Sequence, residues 1–346
     1  MILVAPDKFK GTMTAREAAE AIERGLRRGG VTDTVLLRPM ADGGEGTPGI
    51  LYAEAIAGEP GVYALPDGDS ALVMSCELCG QGLKDIPPAD RSSRTLGEAV
   101  RRLGDRFDTV YIGIGGTLTV DAGLGFLQGL GFTVRDASGT AFTEAVTPRL
   151  IASRGLSEAV APEESFPEII GLCDVACPLV PKRCCPVSAI DFAAQKGFVG
   201  DELQAMARKV ISEAEDCLLS PTAAFGGAGG GLGFAVGLVP GARCTLGADY
   251  VLQLMDYCFE EASLVITGEG CIDSQTGAGK VVDAVWRAAR KRNVPFLAVG
   301  GVVKGESPYP HVLACQGSDK PLPSPQKASE ILEKSVEKWA SANLAD

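Results

Sequence analysis

The chain of 346 residues contains a single histidine, His311. A histidine-rich metal site is therefore excluded, and a mechanism that needs a histidine base has only this residue. The chain also lacks a run of basic residues, since 32 Lys and Arg stand against 44 Asp and Glu, for a formal net charge of −12. Nucleic-acid phosphates require concentrated basic side chains, so we expect no nucleic-acid partner. A small anionic substrate still fits a local basic pocket.

A long apolar run is missing as well. The longest uncharged stretch, residues 217–242, contains eight glycines and two prolines. This composition favours loops and close packing over a membrane-spanning helix, which needs about 20 apolar residues. The first six residues lack the basic start of a signal peptide. We therefore expect a cytoplasmic protein without membrane association.

The eleven cysteines do not form a recognisable zinc site. Cys76 and Cys79 make the one CxxC pair, without a second pair at zinc-ribbon spacing. Four others cluster, namely Cys173, Cys177, Cys184 and Cys185. The odd count favours reduced thiols that pack as small apolar side chains, with a metal site in the cluster as the alternative.

Seven short apolar runs predict buried strands. Their hydrophobicity is continuous instead of alternating, which is typical of a parallel sheet covered by helices on both faces. The runs are residues 2–5, 35–37, 110–114, 169–173, 264–267, 296–299 and 312–315. Each is followed by a helix-like stretch, so the fold class is α/β.

Two helix starts carry the Thr-x-x-Glu spacing of a capping box, in which hydroxyl and carboxylate satisfy free backbone N–H groups. They are Thr14 with Glu17 and Thr95 with Glu98. A final amphipathic surface helix is expected over residues 329–340. The two ends of the chain hold similar strand–helix units, while the middle is less regular. We therefore predict a Rossmann-like domain with a parallel sheet formed from both chain ends, 1–60 with 246–346. A second α/β domain, 61–245, is inserted between them.

The loop after the second predicted strand carries two acids, Asp42 and Glu45, among glycines. Two carboxylates in such a loop suit magnesium or a base for a hydroxyl group. Residues 44–49 also complete G-x-G-x-x-G, a dinucleotide-binding pattern that would indicate an oxidoreductase. The acids lie where a pyrophosphate would bind, which disfavours that alternative.

Two further glycine-rich loops are candidates for phosphate binding. In residues 113–121, backbone amides and the Thr117 hydroxyl could hold phosphate. An equally good interpretation is that Asp121 only begins the following helix. Residues 225–233 either bind a ligand in the same way or allow close packing of elements.

Acids also lie near the ends of two other predicted strands. Glu269 and Asp273 are candidates for metal or substrate hydroxyl binding, although residues 267–281 do not form a Walker A loop. Asp7 and Lys10 follow the first predicted strand, and Lys8 between them is expected in a surface salt bridge.

Taken together, these segments resemble the bacterial glycerate kinase family of type I. The resemblance rests on Ala-Pro-Asp-x-Phe-Lys-Gly at 5–11, Pro-Met-Ala-Asp-Gly-Gly-Glu-Gly at 39–46, Gly-Ile-Gly-Gly-Thr at 113–117, Cys-Asp-Val at 173–175, Gln-Lys-Gly at 195–197, the glycine loop at 226–233 and Ile-Thr-Gly-Glu-Gly-x-x-Asp-x-Gln-Thr at 266–276. These segments agree with the family in order and spacing and span most of the chain.

The resemblance implies an ATP- and Mg²⁺-dependent enzyme that phosphorylates D-glycerate to 2-phosphoglycerate or 3-phosphoglycerate, with an active site in a cleft between two α/β domains. A homodimer is left open. The residues assigned on this basis are Asp42, Asp273 and Lys10 for catalysis; Gly115, Gly116, Thr117, Gly229, Gly230 and Lys280 for ATP; Asp7, Lys196, Gln275 and Thr276 for glycerate; and Asp42, Glu45 and Glu269 for Mg²⁺. Base and metal-ligand roles are not separated for the acids.

The chain departs from the family in several places, among them the cysteine-rich segment 180–186 and Ala193-Ala194, and two departures bear on the substrate. Val120 and Cys177 stand where the family usually has asparagine. The alternatives that follow are a kinase for another small hydroxy acid and a non-catalytic metabolite-binding regulator.

Overall fold

The computed structural model describes residues 1–183, 185, 187–221, 224–253, 259–273 and 276–344. The chain divides into two compact units. The terminal unit consists of Met1–Asp42 with Ala248–Asp346, and the inserted unit consists of Gly43–Gly247. The domain boundaries proposed from the sequence, 1–60 with 246–346 and 61–245, remain a prediction.

The α/β fold class is confirmed by the order of the elements. The strands are β1 (Ile2–Val4), β2 (Val35–Leu37), β3 (Glu54–Ala55), β4 (Val62–Ala64), β5 (Ser70–Met74), β6 (Thr109–Gly113), β7 (Thr133–Arg135), β8 (Glu158–Val160), β9 (Glu168–Cys173), β10 (Arg243–Leu246), β11 (Leu264–Ile272), β12 (Phe296–Val303) and β13 (Val312–Ala314). The α-helices are α1 (Ala15–Arg28), α2 (Thr47–Ile50), α3 (Ser75–Leu78), α4 (Arg94–Leu103), α5 (Leu124–Gly129), α6 (Pro148–Arg154), α7 (Ala189–Ala193), α8 (Asp201–Cys217), α9 (Leu232–Val236), α10 (Gly247–Gln253), α11 (Val281–Lys291) and α12 (Pro325–Asn343).

The terminal unit is built on a five-stranded sheet in the order β13-β12-β11-β1-β2, with every pair parallel. The sheet therefore joins the two ends of the chain, and its register sets Ile2 beside Leu264. Strand β11 extends to Ile272, past the predicted end at residue 267. Glu269 consequently lies within a strand and not in the loop that follows it.

Helices α1 and α12 pack on each other and on one face of this sheet. The predicted capping box begins α1, because the Thr14 hydroxyl accepts from the Glu17 amide at 3.2 Å and the Glu17 carboxylate accepts from the Thr14 amide at 2.8 Å. The apolar sides of the helices bury Ile22 and Leu332 in a shared core. The predicted amphipathic segment 329–340 is confirmed as the central part of α12.

The inserted unit contains a six-stranded sheet in the order β10-β9-β6-β5-β4-β3. Strands β10, β9, β6 and β5 are parallel, whereas β4 and β3 complete the sheet as antiparallel neighbours. Two predicted strands, β9 and β6, are neighbours in this sheet, and the unpredicted β5 lies beside β6. A separate antiparallel pair is made by β7 and β8.

The predicted capping box at Thr95 is wrong, and a tertiary contact explains why. Helix α4 begins after Ser93, whose hydroxyl donates to the Asp121 carboxylate at 2.7 Å and accepts from the Phe126 amide of α5 at 2.8 Å. The same carboxylate accepts from the Gly123 amide at 3.1 Å. Burial raises the pKa of Asp121 although these bonds oppose the change. Asp121 is therefore a buried residue that joins the starts of two helices.

In the part of the chain that the structure describes, the cysteines are free thiols. Burial raises the pKa of Cys79 and of Cys177 to about 12, and it raises the pKa of Cys173 well above the ordinary value. These thiols are protonated near neutral pH, as expected of small apolar packing groups. Cys184 lies outside the described residues.

In the part of the chain that the structure describes, we find no helix with both the length and the apolar character needed to cross a membrane.

Candidate active site

The sheet of the terminal unit has a topological switch point between β1 and β11. From β1 the chain proceeds to β2 on one side, and from β11 it proceeds to β12 and β13 on the other. In open parallel sheets, ligands bind outside the carboxyl ends of the strands at such a point. Asp7 follows β1 there, and its amide donates to the Gly268 carbonyl of β11 at 2.8 Å.

Three acids, Asp7, Asp42 and Glu269, form what we call the carboxylate cluster. Their exposed fractions are 6%, 7% and 7%, although each belongs to a segment at the carboxyl edge of the sheet. The Lys8 ammonium lies 3.3 Å from Asp42 Oδ1 and 3.6 Å from Asp7 Oδ1. Lys8 makes the predicted salt bridge, but not at the surface, since its side chain is 20% exposed and its partners are candidate catalytic acids.

The electrostatics of the cluster are dominated by burial. Burial, followed by the neighbouring charge of Asp42, raises the pKa of Asp7 to about 7, although the Lys8 ammonium and amide act in the opposite direction. Burial also raises the pKa of Glu269, against the attraction of Lys280. A carboxyl group that titrates near neutral pH is suited to proton transfer. Perturbed carboxyl groups of this kind are typical of functional sites.

Thr276 supports the cluster from the loop after β11. Its buried hydroxyl donates to Glu269 Oε1 at 2.6 Å and accepts from the Asp273 amide at 3.0 Å. The predicted glycerate-binding residue Thr276 is therefore hydrogen-bonded to a predicted metal ligand. Gln275, also predicted to bind glycerate, lies outside the described residues.

The other sequence candidates occupy more open positions. Lys10 is exposed, and Lys280 is half-buried at the start of α11, where its charge acts on Glu269. Asp273 is half-buried. Glu45 belongs to the inserted unit, and its side chain is exposed.

The residues of the carboxylate cluster fit magnesium by donor chemistry. In the described residues, no three His, Cys, Asp or Glu side chains are grouped so that they could hold a metal ion by themselves. Magnesium, however, usually binds through one or two carboxylates together with substrate phosphates and water. Asp42 and Glu269 supply hard oxygen donors of this type.

In the inserted unit, a second group combines a hydroxyl, an ammonium and backbone carbonyls. The Lys196 ammonium donates to the carbonyl and to the hydroxyl of Thr117, each at 2.6 Å. The Thr117 hydroxyl donates in turn to the Gly229 carbonyl at 3.0 Å. We call Thr117, Lys196 and Gly229 the threonine–lysine cluster. It brings together residues from three predicted loops that are up to 112 positions apart in sequence.

Glycines allow these loops to approach one another closely. A Cβ atom at Gly230, where φ is +71°, would lie 2.1 Å from the Thr119 carbonyl oxygen, so only glycine fits. The packing alternative for residues 225–233 is therefore supported, while ATP binding by Gly229 and Gly230 stays a prediction. Gly115 is buried against Gly44, and Gly116 is exposed.

The dinucleotide-binding alternative for residues 44–49 gains no support from the fold. The helix that follows, α2, is only Thr47–Ile50, and it leads into the antiparallel pair β3–β4. A dinucleotide fingerprint requires a strand, a glycine turn and a long helix in a parallel unit.

Two basic residues that contact these clusters, Lys8 and Arg91, were not identified from the sequence as parts of the site. Lys8 occupies the variable position of its motif, and its partner Asp42 is 34 residues away. Arg91 is buried beside Lys196 and lies in a loop without a motif. A basic residue next to a motif acid was the one signal for Lys8, and Arg91 had none.

Comparison with known proteins identifies the family that the chain matches. Residues 2–342 match the model of the glycerate kinase family. The chain is similar to a glycerate kinase of Bacillus subtilis strain 168, with 33% identity over 335 residues, covering 88% of this chain and 86% of the relative. It is 31% identical over 333 residues to a glycerate 2-kinase of Escherichia coli K12, covering 87% and 84%. A crystal structure of a protein assigned as glycerate kinase 2 from Salmonella typhimurium LT2 matches with a TM-score of 0.72 at 28% identity, covering 99% of this chain and 97% of that one.

Proposed function

The chain belongs to the glycerate kinase family, and we propose that it transfers the γ-phosphate of ATP to a hydroxyl group of D-glycerate, releasing ADP. The observation that carries the proposal is the group of buried acids at the switch point of the parallel sheet, one of which has a pKa near 7. Phosphoryl transfer depends on an oriented hydroxyl group and on stabilised charge. A carboxylate at this edge of the sheet orients the hydroxyl group by accepting its proton.

Within the carboxylate cluster, Asp42 accepts the proton of the glycerate hydroxyl. The support is its distance to the Lys8 ammonium, 3.3 Å, because a nearby cation favours the ionised carboxylate that a base must be. Asp7 titrates near pH 7, partly because of the neighbouring charge of Asp42, so the two carboxyl groups act on each other. Asp273 and Lys10 complete the proposed catalytic residues.

The threonine–lysine cluster binds anionic oxygens of the two substrates. Support comes from the fixed positions of Lys196 and Thr117, whose mutual bonds are 2.6 Å long. Ammonium, hydroxyl and backbone N–H groups are the donors that bind carboxylate and phosphate oxygens. Gly115, Gly116, Gly229, Gly230 and Lys280 contribute to ATP binding, and Gln275 and Thr276 contribute to glycerate binding.

Asp42 and Glu269, with Glu45 as a further proposed ligand, would hold magnesium together with the nucleotide, and the ion would supply positive charge against the phosphates. The cluster residues orient the acceptor hydroxyl and hold its proton, which are tasks of the protein itself.

We assign 2-phosphoglycerate as the product, with transfer to the secondary hydroxyl. The name of the Escherichia coli relative, glycerate 2-kinase, supports this choice. Transfer to the primary hydroxyl would give 3-phosphoglycerate instead.

A second candidate is a kinase for another small hydroxy acid. The observation that favours it is the burial of Val120 and Cys177, which replace the asparagines usual in the family. Buried apolar side chains at both positions remove two polar groups from this chain, and a polar group lost from a binding site changes substrate selection strongly.

A coupled assay of ADP release across a panel of small hydroxy acids tests these assignments. D-Glycerate should give the highest kcat/KM, and Asp42→Asn should serve as the inactive control. The phosphate position follows from the ³¹P signal of the product, which couples to one proton at C2 or to two at C3. Binding of ATP and glycerate without ADP release would establish a regulator instead, and a different best acid would establish the second candidate.

A further inference from the structure

Arg91 is a buried cation in the inserted unit. It lies in the extended segment before α4, and its exposed fraction is 6%. In a protein interior an arginine side chain normally requires a compensating charge or complete hydrogen bonding. In the described part of the chain, no carboxylate lies within the 4.0 Å distance of an ion pair with Arg91, so carbonyl groups take this role.

The guanidinium donates to carbonyl groups from three loops. Its bonds are 2.6 Å to Lys196, 2.9 Å to Ile86, and 3.4 Å to both Leu118 and Lys84. Planar guanidinium groups suit this arrangement, because their five N–H donors are fixed in direction.

Two of these carbonyls belong to the segments that form the threonine–lysine cluster. Arg91 binds the Lys196 backbone directly, and it binds Leu118, the residue after Thr117. The Lys196 and Thr117 side chains then meet at 2.6 Å. Gly197, the residue after Lys196, has φ of +90°, a conformation that favours glycine, and a Cβ atom there would lie 3.1 Å from Pro88 Cγ. The guanidinium thus braces both backbones behind the contact.

We propose that Arg91 is a positioning residue that fixes the backbones of Lys196 and Leu118, and thereby aims Lys196 and Thr117 at an anionic oxygen group of a substrate. The inference rests on the proposed function in that the anionic group is the glycerate carboxylate or an ATP phosphate. The buried positive charge of Arg91 strengthens binding of either group, because no carboxylate of the described residues neutralises it at ion-pair distance.

The test compares Arg91→Met and Arg91→Lys with wild type, after circular dichroism and thermal unfolding identify the variants that fold. Arg91→Met should lower kcat/KM by about 10²-fold, the cost of a misplaced binding group. Arg91→Lys keeps the charge but loses the planar set of donors, so at least about tenfold should be lost. The KM that rises identifies the source of the anionic group, because the KM of the other substrate should stay within about twofold.

A readout independent of turnover is the acetylation rate of Lys196, measured by mass spectrometry relative to the exposed Lys334. Releasing its backbone should free the ammonium from Thr117 and raise labelling at least about threefold in either folded variant. Arg149→Met is the matched control, because Arg149 is an exposed arginine of the same unit paired with Asp90 at 2.6 Å. It should change neither labelling nor kinetics.

The possible results distinguish a failure of the Arg91 positioning role from a failure of the proposed kinase function. Folded Arg91 variants with unchanged Lys196 labelling, or with kcat/KM within about twofold of wild type, overturn the positioning role. If the wild-type chain releases no ADP with any hydroxy acid, the proposed kinase function fails, and the labelling rates alone still decide whether Arg91 positions Lys196.

Discussion

The two units hold charge in opposite ways. In the terminal unit, the carboxylate cluster contains three buried acids, two of which lie beside the Lys8 ammonium, and the pKa of Asp7 rises to about 7. In the inserted unit, two cations, Arg91 and Lys196, are bonded to neutral oxygens of carbonyls and a hydroxyl. The carboxylate cluster of the terminal unit therefore presents acids that bind protons and metal ions. Arg91 and Lys196 of the inserted unit present cations that attract anions. In the proposed function, the terminal unit supplies the proton-transfer residues together with Lys280, Gln275 and Thr276 for substrate binding, whereas Lys196 and Thr117 of the inserted unit bind anionic oxygens.

Asp121 shows that a buried acid need not take part in catalysis. Like Asp42 it follows a strand among glycines, yet its bonds go to the amides and hydroxyl at two helix starts. Asp42 instead faces an ammonium and another carboxylate. The partners of a buried acid, more than its burial, distinguish a structural role from a catalytic one.

Removal of the divalent cation should have the largest effect. With EDTA in excess, turnover should fall by more than about 10³-fold, because phosphate charge is then left without its metal. Magnesium should restore the rate, as measured by ADP release. Full activity in EDTA, or recovery with zinc alone, would refute the role of the hard oxygen donors in the carboxylate cluster.

Asp42→Asn keeps the shape and removes the charge of the assigned base. We expect kcat to fall by about 10²–10⁴-fold, the range for a lost general base, with the thermal midpoint nearly unchanged. Asp33→Asn is the control, since Asp33 is an exposed acid of the same unit. Retention of more than about a third of kcat would exclude Asp42 from the chemistry, and failure to fold would make it structural.

Lys8→Met and Lys196→Met should separate the two clusters by pH dependence. Loss of Lys8 removes an attraction that lowers the pKa of Asp7, so this pKa rises and the acidic limb of the kcat profile moves to higher pH. Loss of Lys196 should raise a KM by about tenfold and leave that limb in place. Identical shifts in the two variants would contradict the division between proton transfer and anion binding.

Asp7→Asn should stabilise the protein in a way that depends on pH. The folded-state pKa of about 7 exceeds the ordinary value of 3.8, so the carboxyl group contributes most below pH 4, and this contribution disappears as pH rises through 7. The variant lacks this penalty and should exceed wild type at pH 8 by up to a few kcal/mol, on the order expected for such a shift. Denaturant unfolding at pH 5 and pH 8 measures the difference, and an advantage that is larger at pH 5 would contradict the assignment.

Ser93→Ala should give the smallest effect, confined to folding. It removes the hydroxyl that joins Asp121 to the Phe126 amide and should cost about 1–2 kcal/mol of stability, similar to a lost helix cap. The value of kcat should not change. Ser92→Ala, beside it in the chain, is the matched control for unfolding. A large drop in kcat at unchanged stability would assign Ser93 to the active site.

The sequence predicted every strand of the terminal sheet but only β6 and β9 of the inserted sheet. All seven apolar runs are strands, because continuous burial leaves a clear pattern. Strands β3, β4, β5, β7, β8 and β10 were not predicted. Glu54–Ala55 is exposed and Arg243–Leu246 is partly so, which leaves little apolar signal, whereas Ser70–Met74 is buried along its length and its apolar run was not recognised. The false capping box at Thr95 has a similar cause, because the partner of Ser93 comes from a distant part of the chain.

For the candidate site, the acids were predictable and their counterions were not. Asp7, Asp42 and Glu269 follow or lie within apolar runs, where parallel topology directs them to one edge. The partners of Lys8 and Arg91 depend on three-dimensional packing between segments far apart in sequence. Such contacts leave no local spacing from which they could be recognised.

The parallel sheet that joins both chain ends also determines the order in which the protein can fold during synthesis. The inserted unit is continuous in sequence and can fold as soon as it leaves the ribosome. Strand β1, in contrast, pairs with β11, which lies more than 250 residues later in the sequence. The side of β1 that pairs with β11 therefore stays unpaired while the intervening chain is synthesised. At about 5–20 residues per second this delay lasts tens of seconds. The nascent first segment therefore lacks its partner strand β11 until most of the chain has been synthesised.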